Sequence, residues 1–187
     1  RLAAAKAAGL DQDDVTVETT FLGGGFGRRA EVDVVREAVA CALQMPGRPL
    51  QLLWSREEDI RHDMYRPMAI ARWTATFDKG LRSVAKRQVG QSPTDQFGKR
   101  AVGLPNQGKP EGNAVENPPY AFPYYRLEAI VPEGVVPVGF WRSVGHSHST
   151  FFDESFVDEM AHHLKKYPVQ FRRELLANQP RHARVLE

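Results

Sequence analysis

Cysteine is nearly missing from this sequence: Cys41 is the only one in 187 residues. A disulfide framework, a four-cysteine zinc site and an iron–sulfur cluster held by this chain alone are therefore excluded. Net charge is small as well, because 25 basic against 23 acidic side chains leave only a formal +2. With no basic tract interleaved with aromatics, nucleic acid is not an expected partner. No apolar run approaches the roughly 20 residues of a membrane-crossing helix, and the alanine-rich opening from Arg1 to Leu10 is too short for a signal sequence. No membrane insertion is expected, and the compartment stays undefined. No internal repeat or coiled-coil register occurs. What is present is ordinary globular composition, 42% hydrophobic, sufficient for one sizeable core or two small lobes.

The chain starts inside an alanine-rich helical pattern that stops at Gly9, and it reads as a piece of a longer protein. Val15, Val17, Thr19 and Phe21 alternate as a strand does. The glycine run Gly23-Gly24-Gly25-Phe26-Gly27 follows, then Val32, Val35, Val39, Ala42 and Leu43 at helical spacing, with Cys41 expected to be buried among them. Pro46-Gly47 ends that helix, and Leu50 to Ser55 reads as a second strand. Ala71 to Phe77 and Leu81 to Val89 form a hairpin through Asp78-Lys79-Gly80. Gln91 to Pro123 is a long Gly-, Pro- and Asn-rich loop, functional or interface-forming by its length. Strands from Tyr125 to Val131 and Val135 to Trp141 precede two helices, one carrying Phe152, Phe156, Met160 and Leu164 and one opened by Pro168. The expected fold class is α+β, with mixed sheets and packed helices. Its parts are residues 1–90, the loop 91–123, and residues 124–187.

Two segments carry chemistry. Glycines let backbone N–H groups approach a ligand, and a helix start behind them favours an anion. Arg28 and Arg29 fall in the expected first helical turn, where the macrodipole disfavours cations unless an anion is bound; a tight turn with two solvated arginines fits the pattern equally. The same residues, Gly25 to Ala30, satisfy the G-x-G-x-x-A dinucleotide pattern. NAD(P) is the weaker reading, because Glu57 and Glu58 lie beyond the expected interval of about 20 residues and the hairpin breaks the βαβ alternation. The second segment is Phe140-Trp141-Arg142-Ser143-Val144-Gly145-His146-Ser147-His148-Ser149. Arg142 could hold an oxyanion, or pair with Asp153 or Glu154. His146 and His148, like His162 and His163, lack metal-ligand spacing, Asp158 and Glu159 read as a solvated helix face, and no nucleophile–histidine–acid set is evident.

Together, Val17 to Arg29, Leu53 to Asp59 with Tyr65-Arg66-Pro67, Gly139 to Ser147 and Glu154 to Glu159 resemble the molybdopterin-binding large subunit of molybdenum hydroxylases. The resemblance points to the isoquinoline 1-oxidoreductase beta subunit and aldehyde dehydrogenase branch of the xanthine dehydrogenase and aldehyde oxidase superfamily, and covers about Asp14 to Leu176. It implies cofactor contacts for Gly24, Gly25, Phe26, Gly27, Arg28, Arg142, Ser143 and Gly145, with Phe26 and Arg142 near molybdenum but no direct side-chain ligand to it. Val144 would face the substrate. The implied cofactor is molybdenum with molybdopterin, often as its cytosine dinucleotide in bacteria. Iron–sulfur clusters would lie in a small partner subunit that passes electrons to an acceptor. Ala30 stands where purine-oxidising relatives carry a glutamate, and Arg28 where they carry glycine, so an aldehyde or N-heterocycle is the implied substrate. The family's catalytic glutamate lies in a Gly-x-Gly-Glu motif that this chain lacks. The chain should therefore contribute cofactor loops without the base, be inactive alone, and need the remainder of its subunit. A non-catalytic interaction or assembly module, using the 91–123 loop, is the rival reading.

Overall fold

The computed structural model describes residues 1–102, 118–134 and 136–187. The chain forms two compact units, one of Arg1–Pro67, Pro93–Gly108 and Val135–Arg142, the other of Met68–Ser92, Lys109–Gly134 and Ser143–Glu187. The fold is α+β, as the composition and patterning imply.

In the second unit, β1 (Ala69–Phe77) and β2 (Leu81–Gly90) form the expected antiparallel hairpin, and β3 (Tyr125–Ile130) adds parallel to β2 in the order β1-β2-β3. Strand alternation puts Trp73, Ala75, Phe77 and Val84 on the face that packs on α5 (His146–His163). There Phe156, Val157, Met160, Ala161 and Leu164 meet the sheet, and α6 (Pro168–Leu175) adds Phe171 and Leu175. A short helix, α7 (Pro180–Arg184), ends the chain.

Period-two alternation also carries Lys86 and Gln88 onto the buried face beside Val84. Lys86 has no exposed side-chain surface and lies 2.6 Å from Asp153 of α5, with Trp73 beneath it at 5.0 Å. Burial pushes the Lys86 pKa down and the Asp153 pKa up, and their mutual hydrogen bond opposes both shifts. Burial, with a smaller contribution from Asp153, pushes Tyr125 up to about 12. Arg172 donates to Glu154 at 2.8 Å and Asp158 at 2.5 Å, while Tyr120 donates to Glu154 at 2.8 Å. Asp158 and Glu159 lie exposed, as expected of a solvated face, and Asp158 together with Glu154 fastens α6 to α5 through Arg172.

In the first unit, α1 (Leu2–Ala8) buries Ala3, Ala4 and Ala5 and packs against α2 (Asp33–Leu43). None of α2's residues is fully buried, and Cys41 is exposed, contrary to its expected burial. The seven-residue alanine helix is too narrow to cover α2. Three expected strands are also absent. Residues 15–22 and 50–55 join no ladder among the described residues. Of residues 136–141, Val138 alone bridges, to Tyr65. Alternation supplies the side-chain pattern, but a strand also needs a hydrogen-bonded neighbour. Ser55 is instead the N-cap of α3 (Arg56–Arg61), accepting from the Glu58 N–H at 3.2 Å. The expected long loop holds α4 (Pro93–Phe97) and a turn over Gly98–Val102, and its residues 103–117 lie outside those described.

Candidate functional site

The glycine loop leads into a single 3-10 turn, Arg28–Ala30, and α2 begins only at Asp33. Arg28 and Arg29 therefore do not occupy the first turn of an α-helix. No strand precedes the loop among the described residues, so the dinucleotide pattern lacks its βαβ setting. Gly24 (φ 135) and Gly27 (φ 102) adopt conformations that suit glycine, and Phe26 between them is left-handed at φ 51 with its ring exposed.

Gly27 is the point where the two sequence segments meet. Its Cα faces the backbone of Phe140 and Trp141, and a Cβ there would run into the Phe140 carbonyl. The Phe140 segment is held in turn by residues 64–66. Tyr65 N–H donates to the Pro137 carbonyl at 2.9 Å, Gly139 N–H to the Tyr65 carbonyl at 3.1 Å, and Trp141 Nε1 to the Met64 carbonyl at 2.9 Å. Arg66 stacks over the Trp141 ring at 4.7 Å. Arg142 follows immediately, exposed and paired with no carboxylate of its unit among the described residues.

Arg28 is differently placed. Its guanidinium donates to both oxygens of Asp33 at 3.0 and 2.9 Å, with Asp59 at 3.3 Å and Asp63 at 3.7 Å from Nε, and it lies over Trp54 at 5.3 Å. Burial works against its charge, but the Asp33 hydrogen bond and the three carboxylates outweigh burial and raise its pKa. Burial likewise opposes the Asp33 charge and is outweighed by Arg28, so that carboxyl lies below its usual range. Beyond the turn, buried Glu31 receives Arg100 at 2.5 Å, and Arg100 also donates to the Val138 carbonyl at 3.0 Å and to Gln96 at 3.2 Å. Sequence reading missed both brackets of the loop, since isolated carboxylates on short helices look solvated. It also missed the Ser55-x-x-Glu58 capping signature, which was present to be read.

In the second unit, Ser143 (φ 69) and Val144 (φ 47) are both left-handed and lead through buried Gly145 into α5. A β-branched residue in that region stores strain of order 1–3 kcal/mol, a feature common at ligand-binding segments. Among the described residues no group of three or more His, Cys, Asp and Glu side chains is placed to hold a metal ion. No helix among them is long and apolar enough to cross a membrane.

These features suit an anionic organic group: the glycine loop offers close backbone approach at an exposed aromatic, and Arg142 offers an exposed guanidinium. Arg28, by contrast, faces the carboxylates of Asp33, Asp59 and Asp63.

Comparison with known proteins gives a consistent picture. The sequence profile of the molybdopterin cofactor-binding domain matches residues 1–176. The chain is 31% identical over 187 residues to isoquinoline 1-oxidoreductase subunit beta of Brevundimonas diminuta, covering 98% of this chain and 24% of that protein. It is 30% identical over 185 residues to a membrane-bound aldehyde dehydrogenase (pyrroloquinoline-quinone) of Gluconacetobacter polyoxogenes, covering 95% and 24%. The crystal structure of quinoline 2-oxidoreductase from Pseudomonas putida 86 shares its fold, with a TM-score of 0.58 at 22% identity over 81% of this chain and 19% of that one. The chain spans about a quarter of the length of the curated relatives it matches.

Proposed function

The chain belongs to the molybdopterin cofactor-binding domain family of the xanthine dehydrogenase and aldehyde oxidase superfamily, and on that premise we propose that it supplies cofactor-cradling loops to an oxidoreductase acting on aldehydes or N-heterocycles. The observation that carries the reading is the packing of Gly27 on Phe140 and Trp141, which joins the glycine loop to the segment ending in Arg142.

When bound, the cofactor would supply the redox centre that accepts two electrons from the substrate. The chain's own part is to hold it. Gly24 to Gly27 provide backbone close to the group, Phe26 provides an exposed ring against it, and Arg142 provides a guanidinium for its anionic oxygens. Ser143 and Gly145 shape the second loop, and Val144 is the apolar contact for substrate. Ala30 at the position of the purine-binding glutamate favours an aldehyde or apolar heterocycle. The base that removes the substrate-side proton would come from a Gly-x-Gly-Glu segment elsewhere in a longer subunit, and iron–sulfur clusters from a small partner subunit. The cofactor would be molybdopterin itself or its cytosine dinucleotide form.

One relative's name carries pyrroloquinoline quinone. The profile match over residues 1–176 favours the pterin. The isolated 187-residue chain is expected to retain no stoichiometric molybdenum or pterin and to show no dye-linked oxidation of aldehydes, whereas the longer subunit should carry both. Molybdenum analysis, pterin fluorescence after oxidation and quinone absorbance separate the cases. Turnover by the isolated chain, or a quinone without molybdenum in the longer subunit, would overturn the reading.

A further inference from the structure

We propose that Arg28 is a positioning residue, one that fixes the glycine loop through a carboxylate clamp and itself receives no anion. The inference rests on the cofactor reading above for what the loop holds, and on geometry alone for how it is held. One guanidinium faces Asp33, Asp59 and Asp63, so the node is net negative and repels a phosphate. Its side chain is only 16% exposed. The fork spends two N–H groups on Asp33 at the start of α2, and Nε faces Asp59 in α3 and Asp63 just beyond it. Trp54 lies against the guanidinium plane, and its own Nε1 is fixed by Glu37 of α2 at 3.0 Å. Arg56, largely exposed, also approaches Asp59 at 3.9 Å.

Arg28 directly follows Gly27, the residue packed on the Phe140 carbonyl, so a side chain tied to α2 and α3 removes the freedom of the loop at its exit. A planar fork that stacks and binds bidentately does this; an ammonium cannot. The clamp is also acid-sensitive. The Asp33 carboxyl lies below its ordinary value in the folded protein, so its contribution is present above about pH 4 and is lost as pH falls through the folded value.

The test is a double-mutant cycle of Arg28→Lys and Asp33→Asn, with Arg28→Gln alongside, in the longer subunit. Molybdenum per protein is measured well below each variant's melting temperature, and trypsin cleavage after Arg29 is timed in the metal-free protein. Arg28→Lys and Asp33→Asn should each lower molybdenum retention about tenfold or more and speed cleavage, the double variant being no worse than either single. Three results would overturn the clamp: wild-type retention in Arg28→Lys with loss in Arg28→Gln, improved retention in Asp33→Asn, or additive losses. Faster cleavage with unchanged retention would also overturn it, as a structural contact without a positioning role. A wild-type subunit without molybdenum refutes the cofactor reading only; non-additive cleavage rates would still support the clamp, and additive rates would refute it.

Discussion

Replacing Lys86 by alanine is expected to destabilise the second unit by about 3–5 kcal/mol, the usual cost of leaving one member of a buried ion pair behind. Lys86 is fully enclosed, and Asp153 is only 15% exposed at its side chain. Without the ammonium, a carboxylate already pushed upward by burial would have to stay protonated or draw water into the α5–β2 interface. The pair itself is not a large net source of stability, because both groups lost their hydration on folding. Exchanging both residues together for Met and Leu is therefore expected to be nearly neutral, or stabilising. Urea unfolding monitored through Trp73 checks the contrast. Equal losses in the single and double variants would show that the pair contributes no specific interaction.

The second large effect is expected at Gly27. Alanine there meets two penalties, a φ of 102 that L-residues rarely adopt and a Cβ driven into the Phe140 carbonyl, which is backbone and cannot turn aside. Together they should cost about 2–4 kcal/mol in the first unit and displace either the loop or the Phe140 segment. Gly23→Ala is the internal control, since a Cβ at Gly23 meets no atom within 4 Å. It should change stability by less than about 0.5 kcal/mol. Thermal unfolding of the two variants, with molybdenum analysis of the longer subunit carrying each, measures the difference. Equal behaviour of the two alanines would refute the close approach.

The hairpin was legible in the sequence because its signal is local: alternating apolar residues on either side of Asp78-Lys79-Gly80 need only each other to pair. The same holds for α1, with its alanines and terminal Gly9, and for α5 and α6, whose aromatic and leucine positions follow helical spacing. Val15 to Phe21 carries an equally clear alternation yet joins no ladder, because strand pairing is a property of two segments and alternation describes one. The parallel position of β3 was illegible for the same reason, since it depends on a crossover connection.

At the candidate site, the glycine run and Arg142 stood out as motifs. That Gly27 packs on Phe140 was not in the local pattern, as it joins residues more than a hundred positions apart. The surroundings of Arg28 were not legible either: a cation beside a glycine loop suggests an anion ligand, and Asp59 and Asp63, distant in sequence, meet it only in the fold. Lys86 offered a readable clue that went unused. A lysine in phase with Val84 on a buried face requires an acidic partner.

Arg142→Ala in the longer subunit tests the central claim most directly, because an exposed side chain can be removed without disturbing the packing behind it. With Arg142 among the groups that hold the cofactor, the variant should melt within about 1 °C of wild type while molybdenum per protein falls about tenfold, the loss of one charge-assisted contact. Wild-type molybdenum content in a folded Arg142→Ala subunit would contradict the account.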